Sequence, residues 1–197
     1  MSCIITVASI NLGNLGEWSS QERVERLIYS ILHDLTMPDL IAVQEIGALQ
    51  PHPKWHAPLP ASLPLQICQS LNRYAPDGAY RYIELAPIPG QSGGDPLFNI
   101  RSGFFYRNTL TPKRLQPIAP NTPPFSGGIN GRGERYSPSR LPLALLVERE
   151  GRSFWALNLH LKSMNATTNR ASKVAKRQRH EQATLLQRFI NEKCSPH

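Results

Sequence analysis

The sequence predicts a layered α/β fold, because its opening reads as a strand, a helix and a second strand. Residues 4–11 are apolar and β-branched enough for a buried strand, and the loop signal Asn-Leu-Gly-Asn begins at Asn11. Residues 40–43 form a continuous apolar run that predicts the next strand. A helix that joins two such strands covers one face of their sheet, so at least two layers are expected.

The segment between these strands predicts an amphipathic helix. Ser19 followed by Glu22 matches the capping-box pattern of a helix start. Apolar residues then recur at helical spacing, at Val24, Leu27, Ile28, Ile31, Leu32 and Leu35. We therefore expect a helix that begins after Ser19 and packs this apolar stripe against the sheet.

The remaining chain predicts further strands, two more helices and one long loop. Four apolar segments predict strands of a mixed sheet, at residues 80–85, 100–106, 141–147 and 154–161. Residues 65–71 predict a short helix, and residues 169–191 predict a longer one with a basic first half and an apolar second half. Residues 108–139 are rich in Pro, Gly, Ser and Asn, which is typical of a functional or mobile loop.

Charge and cysteine content limit the classes of partner and compartment. The net charge is +8, and the segment from Gly151 onward contains nine Lys or Arg but only two acidic residues. This imbalance is compatible with an anionic partner and equally with a basic surface that keeps the protein soluble. The three cysteines are scattered and predict free thiols. The start lacks a basic signal region and no apolar run reaches transmembrane length, so we expect a cytoplasmic protein without a membrane partner.

Polar residues follow or end several of the predicted strands. Asn11, Glu45, the pair Tyr106-Arg107 and His160 all occupy this kind of position. Strand ends are where layered α/β folds assemble sites, because the sheet holds the side chains rigidly. Taken singly, each residue has another explanation: Glu45 fits a solvated or paired carboxylate, and His160 fits an ordinary histidine near a strand end.

Together these residue types describe metal-assisted phosphodiester hydrolysis. The carboxylate of Glu45 is a hard oxygen donor suited to Mg²⁺, Mn²⁺ or Ca²⁺, and the amide of Asn11 can complete the shell or bind phosphate. His160 can donate to a phosphoryl oxygen or a leaving group. Three further cations can supply positive charge to a phosphate, namely Arg107, Arg140 and Lys162.

Five segments, in order, carry a resemblance to a known family. They are "ITVASINLGNLG", "PDLIAVQEI", "IRSGFFYRNTL", "SRLPLALLVEREGRSFWALNLHLKS" and "RQRHEQATLLQRFI". This succession resembles the N-terminal part of the endonuclease/exonuclease/phosphatase family, which includes pancreatic deoxyribonuclease. The resemblance implies an α/β (α+β) fold, a partial four-layer α/β sandwich of the deoxyribonuclease-like type, with the second half of the fold missing.

The resemblance also implies roles for individual residues. Asn11 matches an asparagine near the scissile phosphate and the metal, and Glu45 matches the metal-binding glutamate. His160 matches the histidine that hydrogen-bonds or protonates at the phosphate, and Arg140 is similar to an arginine that contacts phosphate. The remaining matches are weaker: Tyr106-Arg107 has a packing role as readily as a catalytic one, and Asn158 is a structural neighbour at most. The implied cofactor is Mg²⁺ (or Mn²⁺ or Ca²⁺), and the implied partner is nucleic acid, DNA more than RNA.

The sequence departs from the family pattern after this region. The family continues with Gly-Asp-x-Asn and later Ser-Asp-His, and neither motif occurs in these 197 residues. We therefore expect residues 1–197 to be an incomplete, truncated domain that is inactive as a lone chain. A complementing chain that carries the C-terminal half is a candidate partner. Two alternatives stay open: a non-catalytic, basic nucleic-acid-binding remnant, and a family phosphatase acting on lipid or inositol phosphates.

Overall fold

A computed structural model of the chain describes residues 4–49, 62–75, 78–85, 94–95, 98–118, 127–129, 135–136, 142–161 and 168–194. The helices in these ranges are α1 (Gln21–Tyr29), α2 (Ser62–Asn72) and α3 (Asn169–Lys193), and a π-helical turn, Ser30–Asp34, continues α1. The strands are β1 (Val7–Leu15), β2 (Leu40–Leu49), β3 (Tyr80–Glu84), β4 (Gly94–Asp95), β5 (Phe98–Arg107), β6 (Thr111–Pro117), β7 (Gly127–Ile129), β8 (Arg135–Tyr136), β9 (Leu143–Arg149) and β10 (Arg152–Asn158).

The first sheet has the strand order β1-β2-β5-β3, with the short β4 also paired to β5. β1 and β2 run parallel, whereas β5 is antiparallel to its neighbours. Helices α1 and α2 cover one face of this sheet, and the core between them includes Ile41, Val43 and Phe105 from the strands and Ile67 and Leu71 from α2. Apolar burial of this kind is the main term that holds a helix against a sheet.

The second sheet, in the order β10-β9-β6, is antiparallel and packs on the other face of the first. Leu40 and Ala42 of β2 point into this second core, because side chains alternate along a strand and their neighbours Ile41 and Val43 already face the helices. From β9, Leu145 and Val147 meet them, both fully buried. β2 is therefore buried on both faces, which explains its unbroken apolar run.

Helix α3 covers the outer face of the second sheet. Phe189 of α3 packs with Ala144 of β9, and the rings of Trp155 and Phe189 meet edge to face with centroids 5.2 Å apart. The layers are thus helix, sheet, sheet and helix, so the predicted four-layer α/β sandwich is confirmed. The expectation that the second half of the fold is missing is only partly supported, since this chain supplies three strands of a second sheet and the helix that covers it.

Three local expectations are corrected. The capping residue of α1 is Ser20, whose side chain accepts from the backbone N–H of Arg23; Ser19 lies one residue earlier, in the turn. β2 does not end at its polar pair but continues to Leu49. The expected loop at 108–139 contains β6, which reads poorly as a strand because it carries prolines and lies at a sheet edge, where proline is tolerated.

Helix α3 confirms the long helix predicted from residue 169, with bounds Asn169–Lys193. In the portion of the chain that the structure describes, no helix is both long enough and apolar enough to cross a membrane.

Candidate active site at the Glu45 bulge

A β-bulge in β2 sets the direction of Glu45. Gln44 and Ile46 pair with the consecutive β5 residues Ser102 and Arg101, so Glu45 is an extra residue in the strand. Its φ angle is +59°, in the left-handed region that any residue with a Cβ atom disfavours. Ile46 consequently returns to the helix-side core, although a regular strand would turn it to the other face. The strained backbone sets the direction of the Glu45 carboxylate, and strain of this kind is typical of functional sites.

β1 has a matching irregularity at the same level. Asn11 pairs with Gln44, and the next paired residue, Leu15, meets Ile46. Residues 12–14 therefore lie opposite the single residue Glu45. The parallel pair opens at this point, and Asn11 lies beside the bulge. Asn11 does not follow the first strand, as the sequence predicted, because β1 continues to Leu15.

The loop of residues 12–14 is held in a defined shape. The Oδ1 atom of Asn11 accepts a hydrogen bond from the Gly13 N–H at 2.8 Å. Gly13 and Asn14 have φ angles of +57° and +60°, which glycine and asparagine adopt at the lowest cost. From α1, the guanidinium of Arg23 donates to the carbonyl oxygens of Leu12 and Gly13 at 2.7 and 2.6 Å. Arg23 was not among the predicted residues, and only its place in the helix after β1 hints at this role.

His160 meets Glu45 across the two sheets. Its Nε2 atom lies 3.1 Å from Glu45 Oε1, and the two side chains are 10% and 20% exposed. β10 ends at Asn158, so His160 follows it by two residues. Two predicted residues that are 115 positions apart in sequence are therefore brought into contact, in a cleft that solvent reaches.

Asn158 positions this contact. Its Nδ2 donates to the carbonyl oxygens of Val43 and Gly103, both at 2.9 Å, and its Oδ1 accepts from Gln44 Nε2 at 2.7 Å. The residue is buried, and its hydrogen bonds tie β10 to β2 and β5 next to the bulge. Asn158, expected to be a structural neighbour at most, is therefore the polar link that places His160. Its signal in the sequence was a single amide inside an apolar strand.

Arg107 is not brought to this site, which corrects its expected role at the phosphate. β5 runs antiparallel to β2, so its last residues lie at the start of β2, with Tyr106 opposite Leu40. The Arg107 N–H donates to the carbonyl of Asp39, and its Nε donates to the carbonyl of Gly78. Five strand residues, about 17 Å, separate that end from Glu45. The expected phosphate ligands Arg140 and Lys162 lie outside the described residues.

Arg101 is the arginine of β5 that lies level with the bulge. Its guanidinium pairs with Glu84 of β3 at 2.7 Å and is only 2% exposed. The other oxygen of Glu84 accepts from the Tyr82 hydroxyl at 2.9 Å. Burial, and then the charge of Glu84, raise the pKa of Tyr82 well above its usual value. Arg101 is too deeply buried to meet a ligand directly, and its ion pair links β5 to β3.

The side chains present fit a hard divalent cation such as Mg²⁺. Among the described residues, no three His, Cys, Asp or Glu side chains form a metal-binding group. Mg²⁺ does not require one, because it binds through one or two carboxylates and keeps waters or substrate phosphates. The carboxylate of Glu45 can accept through both oxygens while one contacts His160. Beside the bulge, Asn14 Oδ1 is buried with no hydrogen-bond donor in the described chain, which leaves an oxygen available to a cation.

No protein-family model matches the chain, and no curated protein matches it. Solved structures do match. An endonuclease/exonuclease/phosphatase family protein from Leptotrichia buccalis has a TM-score of 0.53 and 15% identity, covering 94% of this chain and 61% of that one.

Two further solved structures are similar. TDP2 of D. rerio, complexed with a single-strand DNA product, has a TM-score of 0.51 at 17% identity and covers 96% of this chain and 55% of its own. The human Nocturnin catalytic domain with bound sulfate anion has a TM-score of 0.53 at 18% identity, with coverages of 95% and 58%. The chain spans 55% to 61% of the length of these three structures. Its described part has the fold of the endonuclease/exonuclease/phosphatase proteins.

Proposed function

We propose that this chain carries part of the active site of a metal-dependent phosphodiester hydrolase of nuclease type. The observation that supports the proposal best is the contact of Glu45 with His160, at 3.1 Å, on a strained bulge between the two sheets. A strained carboxylate and an imidazole in a half-buried cleft are the groups that phosphodiester hydrolysis uses. The fold shared with nucleases raises the probability of that chemistry, as an analogy.

Glu45 and Asn11 are the proposed metal ligands, and Asn14 adds a third oxygen beside them. The cation, when bound, supplies Lewis-acid stabilisation of the charge on a phosphoryl oxygen. The protein's part is to hold these oxygens in place before substrate arrives. The bulge fixes Glu45. Arg23 fixes the loop of residues 12–14, and the Gly13 N–H of this loop donates to the Asn11 side chain.

His160 is proposed to donate a hydrogen bond or a proton to the phosphate. Its Nε2 lies 3.1 Å from Glu45 Oε1, at the cleft, and an imidazole N–H in this position can donate to a phosphoryl oxygen. Asn158 holds the end of β10, so the ring stays at the cleft. Arg140 and Lys162 remain proposed phosphate contacts on the strength of the sequence.

Nucleic acid is the proposed substrate class, with DNA preferred to RNA. One similar structure is complexed with a single-strand DNA product. The chain itself carries a net charge of +8, which favours polyanions. The preference is tested by offering DNA and RNA oligonucleotides of the same sequence.

Metal binding is the decisive first measurement, because it does not depend on turnover. We expect Mn²⁺ titrated into the protein and followed by electron paramagnetic resonance to bind, and Glu45→Gln to weaken binding by about tenfold or more. Glu22→Gln is a matched control, since that carboxylate is exposed on α1 and its removal leaves the cleft intact. Equal affinity in the parent and Glu45→Gln would overturn the assignment of the metal site.

Cleavage is the second measurement. DNA incubated with Mg²⁺ or Mn²⁺ is expected to be cut slowly, because this sequence has neither an Asp-x-Asn nor a Ser-Asp-His motif to activate water. His160→Ala should reduce any cleavage by about 100-fold or more. Cleavage that survives both His160→Ala and Glu45→Gln would come from another site or a contaminant and would contradict the proposal.

The basic half of α3 supports a second candidate, nucleic-acid binding without cleavage. Lys173 and Lys176 are exposed on this outer helix. Phosphate contacts of this kind give affinity that falls steeply with salt. Salt-sensitive gel retardation lost in a Lys173→Glu, Lys176→Glu double variant, with no Mn²⁺ binding and no cleavage by the parent, would favour this candidate.

A further inference from the structure

Trp18 is seated against two glycines beside the proposed site. A Cβ atom placed on Gly16 would lie 2.5 Å from Trp18 Cη2, and one placed on Gly47 would lie 2.3 Å from the same atom. Both distances are far inside van der Waals contact, so the benzo ring of the indole occupies the space that a side chain at either position would need. Trp18 nevertheless remains 45% exposed. The ring thus packs over two positions that lack a side chain, and it remains accessible to solvent.

The position of this ring follows from the strand register. Gly47 comes two residues after Glu45 on β2, a distance of about 7 Å along the strand. Ile46 points into the helix-side core, so the alternation of the strand turns the Cα–Cβ direction of Gly47 to the opposite face, the one that carries Gln44. Gly16 follows Leu15, which pairs with Ile46. The indole therefore lies against β2 two residues beyond Glu45, on the face of the first sheet that meets the second sheet.

The turn that carries Trp18 is held at both ends. Ser19 closes it, because its N–H donates to the Gly16 carbonyl at 2.9 Å and its Oγ accepts from the Gly16 N–H at 3.1 Å. The carboxylate of Glu17 accepts from the backbone N–H and the hydroxyl of Ser62 at the start of α2. An aromatic ring on a fixed turn loses little conformational entropy when a planar group stacks on it.

We infer that Trp18 is a stacking platform for a nucleobase of the strand whose phosphate lies at Glu45. The inference rests on the proposed function and names the part of the substrate that the cleft would hold. Every base has a π-face, so such a platform binds single strands, or the frayed end of a duplex, with little sequence preference. Phosphate contacts at the bulge and one base on the indole then set which bond of the strand reaches Glu45 and His160.

The test compares two proteins with two ligands by fluorescence anisotropy, in EDTA to prevent cleavage. The ligands are a labelled single-stranded DNA oligonucleotide and an abasic oligonucleotide of the same length, which keeps the phosphates and lacks the bases. We expect Trp18→Ala to bind the intact strand about tenfold more weakly than the parent and to bind the abasic strand equally well. Trp18→Phe keeps a ring and should recover most of the affinity.

Tyr74→Ala is the matched control, since Tyr74 is an exposed aromatic residue just after α2 and should leave both affinities unchanged. Equal binding of the intact strand by the parent and Trp18→Ala would overturn the inference, and so would an equal loss on the abasic strand. Either result leaves the proposed function standing if Mn²⁺ still binds at Glu45. Absence of DNA binding in all proteins would count against the nucleic-acid substrate and against the platform together.

Discussion

Asn158 and Gln44 join the two sheets through a 2.7 Å hydrogen bond between Asn158 Oδ1 and Gln44 Nε2. Gln44 immediately precedes the bulge residue Glu45, and Asn158 lies two residues before His160. One buried amide pair therefore fixes the relative position of the two side chains that define the candidate site. The same amides make further hydrogen bonds to the first sheet, so neither can move independently of it.

Removing the Asn158 amide should destabilise the fold markedly. Asn158→Ala leaves the Val43 and Gly103 carbonyls and the Gln44 amide buried without this partner, and each such loss costs about 1–3 kcal/mol. We expect the free energy of unfolding in urea to fall by about 3 kcal/mol or more. Asn191→Ala, on the exposed side of α3, serves as control and should change it by less than about 0.5 kcal/mol. An Asn158→Ala protein as stable as the parent would contradict the role of this residue.

The strain at Glu45 predicts an inverted order of two substitutions. Glycine normally destabilises a strand relative to alanine, but at a φ of +59° it removes the conflict with Cβ. Glu45→Gly should therefore be more stable than Glu45→Ala by about 1 kcal/mol, while both lose metal binding. Thermal unfolding of the two proteins side by side measures this difference, and a more stable alanine variant would show that the bulge relaxes without its carboxylate.

The buried pair of Arg101 and Glu84 should tolerate replacement together better than replacement singly. Glu84→Gln removes the charge that the buried guanidinium faces and should cost about 3 kcal/mol in the free energy of unfolding. The double variant Arg101→Met, Glu84→Gln removes both charges and should recover much of that loss. Urea unfolding of the two single variants and the double variant forms the required cycle. Simple addition of the two single losses would show that the charges act independently.

Burial of Cys68 predicts a loss of stability at high pH. Burial raises the pKa of its thiol from 9.0 to about 12, because the thiolate is poorly solvated in the core. The stabilising contribution of the neutral thiol is complete below pH 9, where the unfolded chain also keeps the proton. It decreases between pH 9 and pH 12 by up to about 1.4 kcal/mol per pH unit, because the unfolded chain ionises first.

The measurement compares the parent with Cys68→Ala by urea unfolding at pH 8 and pH 10. Alanine lacks the titrating group, so the stability advantage of the parent should shrink by about 1 kcal/mol at the higher pH. A constant difference would show that Cys68 does not titrate in the unfolded chain over this range. As an independent check, a thiol reagent at pH 8 should label exposed Cys194 and spare Cys68 until the protein unfolds.

The order of elements was largely readable from the sequence, because local periodicity carries it. The apolar run at 40–43 and the helix from residue 169 appear where they were predicted. β6 was missed because its prolines and polar residues mimic a loop, and only pairing with β9 defines it as a strand. The start of α1 was placed one residue early because Ser19 and Ser20 both match a capping residue, and the hydrogen bond to Arg23 decides between them.

Candidate site residues could be selected from the sequence by residue type, but their positions in space could not be read from it. Asn11, Glu45 and His160 were singled out for their chemistry at strand ends, and the structure brings Glu45 and His160 into contact and Asn11 beside them. Arg107 also lies at the end of its strand, but that end of β5 lies beside the start of β2, away from Glu45. Strand direction caused this error, because a polar residue at a strand end reaches the site only if the strand runs toward it.

The sequence by itself determined the α/β class, the buried character of β2 and the kinds of residue available for phosphate chemistry, since these depend on local pattern and composition. Only the tertiary structure decided that Glu45 is a bulge residue, that Asn158 fastens the sheets and that Trp18 rests on two glycines. Each of these features depends on backbone pairing between segments far apart in sequence. Such pairing is set by how two sheets pack together, and no local window of residues contains it.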